Sequence, residues 1–164
     1  MNTSDSNHLD LSRYHWGFLV GPKTETNQSR GKRYHAKNQI TPAGMQWVYE
    51  EISCTLEATN MLLVRVLIGK VEQRDRLESL MGSVPVVQGN AAWNCVSWVK
   101  EALRKLQADG RAIGTSQLDW KVVRDAAINY VERKKEQHRF DGNGNFNLKK
   151  AATFDLLAGV EVVH

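Results

Sequence analysis

The spacing of apolar residues shifts to a helical period close to residue 94, and that shift confines the chain to folds that lay helices beside a sheet. Upstream, residues 14–21 (YHWGFLVG), 32–39 (KRYHAKNQ), 45–54 (MQWVYEEISC) and 60–71 (NMLLVRVLIGKV) are rich in aromatic and β-branched side chains and read as four strands. The first two, joined by PKTETNQSRG, make a hairpin. The last two, joined by residues 55–59, read as antiparallel neighbours.

Downstream, Val96, Val99, Ala102, Leu103 and Leu106 recur at three- and four-residue steps with Lys100, Glu101, Arg104 and Lys105 between them, which marks an amphipathic helix starting at Cys95. Asn94 stands where its N-cap belongs, and Asp109-Gly110 marks its end. A shorter helix over residues 72–81 stops at Gly82. A third, capped by Ser116 or Asp119, presents Trp120, Val123, Ala127 and Tyr130 or Val131 on one face. The C-terminus closes with a helical turn at Leu156-Leu157 and a strand over residues 160–163. The expected fold is α+β, a four-stranded antiparallel sheet packed against about three helices.

With 164 residues, 41% of them apolar and 24% charged, the chain suits a single packed domain over residues 13–164 behind a polar tail of residues 1–12. No stretch approaches the ~18 apolar residues of a membrane span, and the N-terminus lacks the basic start and apolar run of a secretory signal, so a cytoplasmic protein is expected. The net charge of +4 comes from basic residues mostly interleaved with acids. Clusters at residues 30–37 and 133–135 are the only support for a nucleic-acid adaptor. The histidines have no HxxxH or HxH spacing, and Gly142-Asn143-Gly144-Asn145 lacks the continuation of a phosphate loop, so neither a metal nor another cofactor is expected.

Two cysteines, outside any CxxC pair, are expected as reduced thiols. Cys54, at a strand end, reads as buried packing. Cys95 falls in the first turn of a helix, where free N–H groups and the positive end of the dipole favour a thiolate; its other reading is a small buried hydrophobe. A thiol nucleophile needs a base, and the base an orienting partner. His15 and His35 lie on the two strands of one hairpin and share a face if its centre falls near Glu25. Glu50 and Glu51, adjacent on a strand, point to opposite faces and read as surface charges. Trp93, Asn94 and Trp98 flank Cys95 and are candidates for the lining of a substrate pocket, although tryptophans at such positions also serve as core.

The order HWGFLVG, RYHAKN and NCVSWVKEAL resembles the circularly permuted papain-like thiol enzymes, notably the lecithin:retinol acyltransferase group. The resemblance implies a permuted papain-like arrangement with His15 as base, His35 as its orienting partner and Cys95 as nucleophile. Val96-Ser97-Trp98 departs from the NCEHF pattern usual in that group. From residue 14 to the C-terminus the chain also resembles a family of small fungal proteins known as a domain of unknown function. The expected activity is cysteine-dependent hydrolysis or acyl transfer on a small-molecule or peptide amide, ester or thioester, and the alternative is a non-catalytic binding module of the same fold.

Overall fold

In a computed structural model, residues 10–59 and 62–164 are described. Strands β1 (Phe18–Val20), β2 (Arg30–Thr41) and β3 (Gly44–Thr55) form an antiparallel sheet in that order. The β2–β3 turn is Pro42-Ala43, closed by Thr41, whose hydroxyl donates to the Gly44 carbonyl at 2.9 Å and accepts from the Ala43 N–H at 3.2 Å. Gly44 has φ +98°, a left-handed conformation that glycine adopts without a Cβ penalty. The tight turn fixes the register of the whole hairpin: six steps back along each strand from Thr41 and Gly44, His35 faces Glu50.

The expected four-stranded sheet stops at three. The segment read as its fourth strand divides into β4 (Val64–Leu67) and β5 (Gly69–Val71), and neither pairs with β3. β4 runs parallel to β7 (Ala152–Asp155), which pairs antiparallel with β8 (Val160–Val163), while β5 pairs antiparallel with β6 (Ile113–Ser116). Leu56 is buried at the point where the chain leaves β3. Its side chain is 5% exposed and fills the space over Gly21 and Gly31, where an added Cβ would come within 2.7 and 2.6 Å of its methyl carbons. Burying a leucine in that slot contributes roughly 1.5–3 kcal/mol.

Helix α1 (Arg74–Gly82), helix α2 (Cys95–Asp109) and helix α3 (Trp120–Glu136) fall where the periodicity places them. Asn94 caps α2 by accepting from the Val96 and Ser97 N–H groups at 2.9 and 3.3 Å, and Ser97 Oγ accepts from the Asn94 N–H at 3.1 Å, a reciprocal capping box worth on the order of 1 kcal/mol. Gly110 ends the helix with φ +67°. Asp119, rather than Ser116, caps α3.

Leu77 and Met81 of α1 and Trp98, Val99, Ala102, Leu103 and Leu106 of α2 pack with Tyr34 and Ala36 into one core. Trp16, Phe18 and Val20, alternate residues along the chain, close it from the β1 side. Residues 1–9 of the expected N-terminal tail lie outside the described residues, but Leu11–Arg13 form a turn of 3₁₀ helix, and the Leu11 carbonyl accepts from Trp16 Nε1–H at 3.2 Å. Among the described residues no helix is long and apolar enough to cross a membrane.

Candidate functional site

Tyr34 and Ala36 face the core, so His35 between them projects from the opposite side of β2. It is 5% exposed, and the residues enclosing it define the site. On the β1 side the register pairs Phe18 with Tyr34, which continues to Gly17 opposite His35 and sets His15 one pleat further on. The hairpin is thus offset by two residues from the symmetric arrangement expected from a centre at Glu25, because its loop runs longer on the β2 side. An even offset keeps the face. His15 itself lies before β1, which begins only at Phe18.

Gly17 makes the diagonal contact feasible. A Cβ there would stand 3.0 Å from His35 Cβ and 3.1 Å from the Tyr34 carbonyl, so any larger residue would press on the buried ring. With the glycine, the imidazoles meet edge to face, centroids 4.9 Å apart, and His15 Nε2 lies 2.6 Å from His35 Nδ1. From β3, Glu50 Oε1 lies 2.9 Å from His35 Nε2, and Lys37 pairs with the other oxygen of the same carboxylate. Arg33 stands 3.8 Å from Glu50 Oε1.

The protons in this chain of three are determined by its far end. Lys37 above all, with His35, holds the Glu50 carboxyl down to about 2, so it accepts only. His35 Nε2 must then donate, its Nδ1 must accept, and His15 Nε2 must be the donor to it. The free lone pair of the relay is left on His15 Nδ1. Neutral imidazoles are required, and both are favoured: burial, then His35 and Arg33, lower the His15 value, while burial outweighs the Glu50 hydrogen bond in lowering that of His35.

The sign of the resulting stability term follows. Both histidines bind a proton less readily folded than unfolded, so their contribution is complete above the ordinary histidine value of about 6.5 and is lost as the pH falls below it. The urea midpoint is expected to decline between pH 7.5 and 5.5, and less so in His35→Gln. Equal slopes for the two proteins would contradict this.

Cys95 occupies the first helical position of α2 and is 6% exposed. Its sulfur lies 3.9 Å from the carbonyl oxygen of Tyr14, the residue preceding His15. The structure therefore joins His15 and His35 directly, and brings the Cys95 sulfur to the main-chain carbonyl of Tyr14 rather than to either imidazole. Cys54, expected to be buried, is instead half-exposed at the end of β3, opposite Gly31.

The three flanking candidates have distinct settings. Trp98 is fully buried between Phe18 and Tyr49, a packing position. The Asn94 amide oxygen is committed to the helix cap. Trp93 is half-buried, edge-on to Trp47 at 5.5 Å. That contact is held by Gln88, which donates to the Trp47 carbonyl at 2.6 Å and accepts from its N–H at 3.0 Å, standing in for a neighbouring strand. Among the described residues, no group of three or more His, Cys, Asp or Glu side chains is arranged to hold a metal ion.

A family model described as "Family of unknown function (DUF6914)" matches residues 2–163. The chain belongs to this family. No curated protein and no solved structure matches it. For this DUF6914 chain, then, the geometry of the site is the ground for any functional reading. Glu50 is the participant that inspection of single strands passes over. Counting outward from the Thr41–Gly44 turn would have found it opposite His35.

Proposed function

We propose that the protein is a cysteine-dependent hydrolase or acyltransferase acting on an amide, ester or thioester, with Cys95 as nucleophile and His15 as base, in the manner of permuted papain-like thiol enzymes. The observation that carries this reading is the His15–His35–Glu50 relay, 2.6 Å and 2.9 Å in its two links, which leaves His15 neutral with an open Nδ1. His35 and Glu50 act as positioning residues.

In the first step His15 Nδ1 takes the Cys95 proton as sulfur bonds to the substrate carbonyl carbon, and the carbonyl π pair moves onto oxygen. The Cys95 N–H, which the Asn94 cap does not use, is the donor at the helix start for that oxyanion. Collapse reforms the carbonyl and breaks the bond to the leaving group, which departs with the proton held by His15. Water or an amine then attacks the thioester, giving up its proton to His15, and releases the Cys95 thiol.

The burial of Cys95 favours a second reading, a binding module without turnover. Alkylation with iodoacetamide separates the two, because exposure and activation rank the thiols oppositely. Cys54 is the more exposed, yet under the proposal Cys95 is modified faster, and His15→Ala removes its advantage. Faster labelling of Cys54 in the native protein, unchanged by His15→Ala, would leave the non-catalytic module as the account.

A further inference from the structure

A second site, remote in sequence from Cys95, is organised around Arg139. Helix α3 ends in a Schellman motif: His138 takes φ +60°, its N–H donates to the Lys135 carbonyl, and the Arg139 N–H donates to that of Lys134, both at 2.9 Å. The turn directs Arg139 inward, where it is 5% exposed. Its Nη2 donates to the carbonyls of Asn147 and Lys150 at 3.3 and 2.7 Å, and the guanidinium lies 5.1 Å from the centre of the Phe146 ring.

One feature goes beyond a staple for the loop over residues 141–150. Among the described residues, no carboxylate forms an ion pair with this buried cation, whereas nearby Lys134, equally enclosed, is paired with Glu161 at 2.5 Å. Arg139 also lines a cavity of about 300 Å³ whose other walls include Leu62, Leu63, Phe140, Leu148 and Ala151. At ~30 Å³ per water, that space holds about ten waters, or a carboxylate with a few carbons behind it.

We propose that this cavity binds a small apolar monocarboxylate, the head group pairing with Arg139 and the aliphatic chain lying along Leu62, Leu63 and Leu148.

Isothermal titration with hexanoate, and with hexanamide as its neutral isostere, tests the proposal on the full chain. Hexanoate is expected to bind at one site at least ~10-fold more tightly than hexanamide, the usual advantage of a charge-assisted pair. Leu148→Trp, at a rim position 62% exposed and so compatible with folding, should weaken hexanoate binding by a similar factor. Arg139→Gln should abolish the preference for the acid. Equal binding of the two probes, no binding of hexanoate at tens of millimolar, or an affinity unaffected by Leu148→Trp would each overturn it. The wild-type ratio and Leu148→Trp decide the matter even if Arg139→Gln does not fold.

Discussion

Cys95→Ala is expected to leave no measurable turnover of any ester, thioester or amide that the wild-type protein cleaves, and to change the free energy of unfolding by only about 1 kcal/mol. The two readouts differ because the thiol is small and at the edge of the core, while sulfur has no substitute as nucleophile. Its neighbour in the structure is a main-chain carbonyl, Tyr14 O at 3.9 Å, whose hydrogen bond is weak for sulfur. A panel of chromogenic thioesters and esters, followed beside a urea titration, supplies both numbers. Retention of turnover would remove Cys95 from the chemistry, and loss of the fold would make it a packing residue.

The second large effect concerns the relay. His15→Ala should lower kcat/KM by ~10² to 10⁴, the usual worth of a positioned base, and His35→Ala by less, since it acts through His15. Glu50→Gln tests the proton argument more closely. A carboxylate can only accept, so it dictates the tautomer of both rings; an amide can also donate, and the relay can then run backwards, with the proton on His15 Nδ1. The variant should lose activity without losing its fold, and Glu50→Asp should recover part of the rate. Losses in double variants should fall far short of the product of the single losses, because these groups serve one step. Full activity in Glu50→Gln, or multiplicative losses in the doubles, would reduce the relay to a structural contact.

The parts of this architecture legible in the sequence are those set by local chemistry. Asn94, Asp109 and Gly110 bracket α2 because caps are read within a turn, and the two histidines share a face because an even offset preserves it. Pairings set at long range were not legible. Residues 64–67 are as β-prone as β3, but their partner is β7, some ninety residues later, and nothing within the segment names it. β6 and β7 escaped notice for a related reason: each is four residues long, and IGTS and ATFD show no alternation strong enough to distinguish a short strand from a loop. Cys54 shows the limit of reading burial from residue type. A cysteine near a strand end reads as packing, but Cys54 stands on the Glu50 face of β3, away from the side that Trp47 and Tyr49 turn to the core.

The order in which the site can be assembled follows from where its parts lie. His35 and Glu50 belong to the β1–β3 meander and His15 to the segment leading into it, so the relay is encoded in a stretch of chain that is synthesised before Cys95. Meander contacts between successive strands are short in sequence and close early, whereas α2 can dock on Tyr34 and Ala36 only after the intervening chain has emerged. The growing polypeptide therefore carries all three relay residues before it carries Cys95, and the Cys95 thiol is the last part of the site to arrive. A truncated chain ending near residue 58 would, on this account, be the natural object in which to look for the His15–His35 contact without the rest of the protein.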